Sequence, residues 1–183
     1  MSQKFSSLSD NLITFIEKQK IFFVGTGTAD SRINISPKGM DSLRITGKNT
    51  VIWLNVTGSG NETSAHVQVY PRMTIMFMAF EGKPLILRLY GNANVIHKND
   101  SEWDNFYSLF KPTVGARQIF EFTIDLVQTS CGMAVPLLDF VGERDLLTDW
   151  ADKQGEQAIK EYWLNNNQQS IDGISTNIAT KNS

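Results

Sequence analysis

The stretch Thr57-Gly58-Ser59-Gly60-Asn61-Glu62-Thr63-Ser64 follows a strand-like apolar run and opens a short helix. Glycines at 58 and 60 let the backbone turn tightly and approach a ligand, and the first turn of a helix presents N–H groups with no partner of their own, which suits an anion. The turn matches neither a Walker A loop nor a dinucleotide fingerprint, because no Lys-Ser/Thr follows Gly60 and the glycine spacing differs. Ser59-x-x-Glu62 has the form of a capping box, and a carboxylate in the first turn complements the helix dipole itself. Two readings of this turn therefore stand, an anion site and an ordinary capped helix start.

Three cations sit where they could serve an anion. Lys38 and Arg44 flank a Pro-Gly interruption, and Arg88 lies within the apolar run 85–96, where an unpaired charge is expensive to bury. Arg88 must pair with a carboxylate or meet a ligand anion. The planar fork of arginine makes Arg44 or Arg88 the stronger phosphate ligand, with Lys38 a point charge.

The other reactive residue types offer less. His66 and His97 are far apart with no partner at metal-ligand spacing, and the single cysteine, Cys131, cannot build a thiolate set. No histidine follows Cys131 closely, so it reads as a small buried hydrophobe rather than a nucleophile. Trp53, Trp103, Trp150 and Trp163 read as core or interface anchors first and ring-stacking residues second. No catalytic acid–base dyad stands out.

Composition bounds the class. With 183 residues, 41% of them hydrophobic and 20% charged, the chain suits one globular domain with an adequate core. A net charge of −2 and a pI near 5.7 give no global attraction to nucleic acid or an anionic membrane, so a phosphate ligand must be held by local features. One cysteine, no leader-like N-terminus and no apolar run near the ~20 residues of a membrane span lead us to expect a cytoplasmic protein.

The elements that must position these residues follow from periodicity. Leu12, Phe15, Ile16 and Gln19 recur at helical intervals behind Ser9 or Asp10 as N-cap. A hairpin follows, from the run Ile21–Thr28 through Ala29-Asp30-Ser31 into Arg32–Ser36. Pro37-Lys38-Gly39 interrupts this second strand, which resumes at Asp41–Ile45. Thr50–Val56 delivers the chain to the glycine turn, whose helix ends before Pro71. Met73–Phe80, Leu85–Ile96 and Ile119–Val127 are further strands, with a helical stretch from Glu102 to Phe110 between the last two. About six strands, mostly hairpin-linked, make a barrel or sandwich. The 144–151 and 156–165 segments read as two amphipathic helices separated by Gly155, and the pattern fades from Ser175 onward. The expected division is a β domain over residues 1–140 and a helical extension over 141–183, packed on the same domain.

The order Ser36-Pro37-Lys38-Gly39-Met40-Asp41, then Thr57-Gly58-Ser59-Gly60-Asn61-Glu62-Thr63, then Ile86-Leu87-Arg88-Leu89-Tyr90-Gly91, then Ser130-Cys131-Gly132-x-x-Val135-Pro136 and Ser170-Ile171-Asp172-Gly173, resembles the pyridoxamine 5′-phosphate oxidase-related, FMN-binding family. The resemblance implies an α+β fold built on a six-stranded antiparallel split β-barrel with flanking helices. It also implies a homodimer with FMN in the groove between subunits. The flavin phosphate would be met by Lys38, Arg44, Thr57, Ser59, Asn61 and Thr63, with backbone approach at Gly60. Backbone at Ser36-Pro37 and Ser42-Leu43 would pass along the isoalloxazine edge, and Arg88 would be a site or interface arginine. Where the true oxidase carries a basic pair at the helix start, this chain has Glu62 and Thr63, and the C-terminal Trp and Arg pattern that grips pyridoxal phosphate is missing. The implied activity is an FMN-dependent oxidoreductase moving hydride through flavin N5, with NADH, NADPH or the substrate as donor and a substrate other than pyridoxamine phosphate. The alternatives are a non-catalytic flavin carrier or redox sensor, and a related barrel that binds deazaflavin or, last in rank for want of a histidine ligand context, haem.

Overall fold

The computed structural model of the chain describes residues 2–182. Eight strands and five helices follow in the order β1 (Gln3–Phe5), α1 (Asp10–Lys18), β2 (Phe22–Thr26), β3 (Asn34–Lys38), β4 (Leu43–Gly47), β5 (Thr50–Val56), α2 (Glu62–Val69), β6 (Arg72–Met78), β7 (Ile86–His97), α3 (Trp103–Tyr107), β8 (Ala116–Ser130), α4 (Leu146–Asn166) and α5 (Ile178–Lys181). All strand pairs are antiparallel, in the order β3-β2-β6-β7-β8-β5-β4, with β1 added to the far part of β8.

The sheet has eight strands where six were expected. Residues 32–45 do not form one interrupted strand. Pro37 stays inside β3, which is tolerated because β3 is an edge strand whose outer N–H groups need no ladder partner. Beyond it the chain reverses through residues 39–42, with Met40 left-handed at φ 60° and the Ser42 hydroxyl donating to the Gly39 carbonyl at 2.9 Å. β3 and β4 thus end up at opposite ends of the sheet path while joined by four residues. The sheet must curl until its two edges face each other, and no pairing joins them among the described residues. That gap is the split in the barrel. The three exposed residues of β1 carry no alternation that would mark a strand in the sequence.

Alternation supplies the core. Phe22 and Val24 of β2, Met73, Ile75 and Phe77 of β6, Leu87 and Leu89 of β7, and Phe120, Phe122 and Ile124 of β8 all point inward and are buried. Trp53 stacks on Phe120 at 4.7 Å between ring centroids and receives the edge of Phe22 at 6.2 Å. The long strand β7 bends at a register shift between Tyr90 and Gly91. Gly91 is required there, because a Cβ would overlap the Thr123 carbonyl oxygen. Helix α1 closes one side of the barrel with Leu12, Ile13, Phe15 and Ile16.

Gly155 interrupts α4 at φ 73°, ψ 168°, so two helices run end to end, as the separated periodicities suggested. The tail is more ordered than its composition indicates: α5 packs Ile178 against Ile159 and Trp163, and Asn182 is buried. A four-residue helix is too short to leave a period in the sequence. Among the described residues no helix is long and apolar enough to cross a membrane.

Candidate functional site

The split between β3 and β4 opens into a cavity of about 560 Å³. Its walls are β3 with the reversal that follows it, the end of β5, the turn 57–63, and Phe110, Lys111 and Arg117. Period-two alternation in β3 turns Asn34, Ser36 and Lys38 to the same face. Of the residues expected to touch a ligand, Ser36, Pro37, Lys38, Ser42, Thr57, Ser59, Gly60, Asn61 and Thr63 all line this cavity.

Three do not. Leu43 packs into the core opposite Trp53. Arg44, the next residue on β4, has its fork already filled: Nη1 and Nη2 donate to the Asp41 carboxylate at 2.6 and 2.8 Å, Nε donates to the Leu109 carbonyl at 3.0 Å, and the guanidinium lies over the Phe110 ring. Arg88 points to the outer face of the sheet, where Nη1 donates to the Ser130 hydroxyl at 3.1 Å, and it lines a separate groove with Tyr90 and Met76. Its partner is a hydroxyl, not a carboxylate.

The turn 57–63 is built differently from a capping box. Asn61 is the N-cap of α2 without a side-chain cap bond, and the Glu62 carboxylate accepts the Ile171 N–H at 3.0 and 3.1 Å instead of reaching back along its own helix. The Glu62 carboxylate is therefore engaged with the 170–174 loop. Thr57 is buried, and its hydroxyl is spent: it donates to the Gly115 carbonyl and accepts from the Trp163 indole N–H, both at 2.8 Å. Thr63 accepts from the Asn34 amide at 3.2 Å, which leaves its proton free to donate.

Positive charge comes from Lys38 and from Arg117, a residue that reading the sequence passed over. Arg117 is 3% exposed, and its Nη1 donates to the Asn167 Oδ1 at 2.6 Å and the Gly60 carbonyl at 3.1 Å. Its Nε has no partner, nor does the Asn61 Oδ1. Neither Lys38 nor Arg117 forms an ion pair among the described residues. Burial, helped by the Arg117 charge, pushes the Lys38 ammonium down to about 8. Burial also pulls the Arg117 guanidinium below its usual range, while it stays protonated at neutral pH. Two desolvated cations thus face one cavity without an ion-pair partner: of the two carboxylates that also line it, Asp41 is held by Arg44 and Glu62 by the Ile171 N–H, so neither neutralises them. The signal for Arg117 was present, since the cost of burying a cation in an apolar run, applied to Arg88, applies equally to Ala116-Arg117-Gln118-Ile119 at the start of β8.

Cys131, expected to be buried, is exposed. It lies just past the end of β8, where the chain leaves the sheet, so nothing covers it.

Known proteins share this architecture. Residues 8–131 match the family model described as Pyridoxamine 5′-phosphate oxidase. The chain belongs to the pyridoxamine 5′-phosphate oxidase family. It is 33% identical over 190 residues to the pyridoxamine 5′-phosphate oxidase family protein ustO of Aspergillus flavus, across 93% of this chain and 76% of that one. Similar solved structures include HupZ of Group A Streptococcus, with a TM-score of 0.54 at 18% identity over 65% of this chain and 91% of that chain. A candidate pyridoxamine 5′-phosphate oxidase from Lactobacillus delbrueckii gives 0.53 at 14% identity, over 67% and 94%. At these identities the likeness is one of fold, a split barrel. The family match ends at Cys131, so α4, α5 and the loop between them lie beyond it.

Proposed function

We propose that the cavity in the split holds FMN and that the protein is an FMN-dependent oxidoreductase acting on a small molecule other than pyridoxamine phosphate. The observation that carries this is a pair of cations without ion-pair partners among the described residues, half-buried Lys38 and buried Arg117, beside a turn of small and hydroxyl residues in a cavity of about 560 Å³. That volume falls within the ~300–1,000 Å³ of small-molecule sites. In this reading Lys38 and Arg117 neutralise the phosphate, Ser59 and Thr63 donate to it, and Asn61 offers its free Oδ1 to a ribityl hydroxyl. Ser36, Pro37 and Ser42 border the ring. The bound flavin would supply two-electron chemistry, giving or taking hydride at N5.

The protein's own part is to bind, orient and neutralise. A fixed positive charge in a partly enclosed cavity favours the anionic ligand over water by more than the same charge would at a surface. The same reading includes a homodimer. Ile33 and Ile35 are 71% and 69% exposed on the outer face of the β2–β3 hairpin, and Met133, Leu137 and Val141 stand out of the strap after β8. An apolar surface of that kind is stabilised by a second copy.

Purified protein tests the proposal directly. The expected preparation is yellow, sediments as a dimer, releases FMN on denaturation, and bleaches when NADH or NADPH is added without oxygen. Colourless protein that takes up no added FMN would remove the cofactor reading.

The Lys38 ammonium makes FMN binding pH-dependent. A bound phosphate dianion raises the Lys38 pKa above its free value of about 8. Above that pH the complex then takes up a proton on forming, and affinity falls as pH rises. We expect a flat dissociation constant from pH 7 to 8 and a loss approaching, at most, roughly tenfold per pH unit above it. Flavin fluorescence titrations across that range measure it, and Lys38→Met removes the break.

A further inference from the structure

The cavity's anion-binding face is held from outside the barrel. Asn167 follows the last turn of α4 and is fully buried. Its Oδ1 accepts Arg117 Nη1 at 2.6 Å, and its Nδ2 donates to the Gly58 carbonyl at 3.1 Å and the Ser59 carbonyl at 3.4 Å. Arg117 in turn donates to the Gly60 carbonyl. Three successive carbonyls of the turn are thus drawn to one side. Across a trans peptide plane the next N–H points the opposite way, so the N–H groups of Ser59, Gly60 and Asn61 point away from Asn167 and Arg117.

Asn167 is itself fixed. Its carbonyl accepts the buried Thr176 hydroxyl at 2.6 Å and the Asn61 amide at 3.3 Å, and its N–H returns to Trp163. The backbone of Arg117 is held by a second C-terminal asparagine, since Asn182 Nδ2 donates to the Arg117 carbonyl at 2.6 Å. The unpartnered Arg117 Nε and Asn61 Oδ1 belong to two of the three side chains that hydrogen-bond to Asn167.

We propose that Asn167 is a positioning residue for the phosphate site: one side chain from the C-terminal extension both aims the Arg117 guanidinium and turns the 58–60 peptides so that their N–H groups serve an anion. The phosphate-binding face is then complete only with the extension in place, although the extension lies beyond the family match. This rests on the reading of the cavity as a flavin phosphate site.

The test compares FMN with riboflavin, which has the same ring and ribityl chain but no phosphate. Wild-type protein is expected to prefer FMN by roughly a hundredfold or more, the scale of two charge-assisted hydrogen bonds. Asn167→Ala is expected to lower that preference by about tenfold, with riboflavin affinity held within about threefold. Asn167→Asp keeps the shape, places a carboxylate against Arg117 and drives apart the carbonyls it replaces donors for, so it is expected to abolish the preference. Thr176→Val, which removes one of the two side-chain donors to the Asn167 carbonyl without touching the cavity, should lower it by about threefold and decides the matter if the Asn167 variants do not fold. An unchanged preference in these variants overturns the proposal, and so does an equal loss of both flavins, which would mean a general structural role. A wild-type protein that binds FMN no better than riboflavin instead overturns the phosphate site itself.

Discussion

Lys38→Met is expected to make the protein more stable and a poorer flavin binder at once. Lys38 lies over the Trp53 ring, 5.2 Å from its centroid, and makes no ion pair among the described residues. Methionine fills nearly the same volume without a charge to desolvate. The sign with pH follows from the folded pKa lying below the unfolded one. From about 8 to 10.5 the folded chain has shed the proton while the unfolded chain keeps it, so wild-type stability rises with pH through that window. Below pH 8 both states carry the proton and the full penalty is present. The gap corresponds to about 3 kcal/mol at 1.36 kcal/mol per unit, and solvent in an open cavity reduces the recoverable part to about 1–2 kcal/mol. The variant should therefore melt roughly 2–8 °C higher at pH 7 and lose the pH-dependent rise. Its FMN affinity should fall by roughly ten- to a hundred-fold, as for one charge-assisted hydrogen bond. Thermal melts at pH 7 and 10 with a flavin titration read both effects, and a variant that is less stable at pH 7 would contradict the cost assigned to the charge.

Arg117→Ala is expected to fail on both counts. It deletes the donor for the Asn167 Oδ1 and the Gly60 carbonyl in a buried setting. Leaving such acceptors unmet costs about 1–3 kcal/mol each, so a loss of about 3–5 kcal/mol and a melting temperature roughly 10 °C lower are expected. FMN affinity should fall by about a hundredfold or more. Arg117→Lys restores the charge without the planar fork and should recover stability less than halfway. The loss of the neighbouring charge also lets the Lys38 pKa rise, which would move the pH break in flavin binding upward. Calorimetry and a pH series of flavin titrations separate these effects. An Arg117→Ala protein that keeps wild-type FMN affinity would move the phosphate elsewhere.

The opposite signs of the two stability effects have one cause. Lys38 has the Trp53 ring beneath it and no ion pair among the described residues, a cost of the kind that functional sites tolerate. Arg117 is a charge that also ties the turn to the C-terminal extension. Both are desolvated, yet only one holds the fold together.

Local patterns carried much of this protein in its sequence. Period-two alternation placed Phe22, Ile75, Leu87 and Phe122 inside a sheet, because the side-chain period of a strand is set by the backbone alone. The residue order from Ser36 through Gly173 carried the family, and it gathered nine of the twelve expected site residues around one cavity. What it could not carry was any fact that depends on chain segments meeting. Pro37-Lys38-Gly39 looks the same whether a strand pauses or the chain reverses, and only the closure of the sheet shows that it reverses and opens the split there. Arg44 and Arg88 are as basic as Arg117 in the sequence. Tertiary structure spends Arg44 on Asp41, turns Arg88 to the outer face, and brings Arg117 to Asn167, 50 residues away, to face the cavity. Charge is a property of the residue, but whether that charge is free for a ligand is a property of the neighbours that the fold supplies.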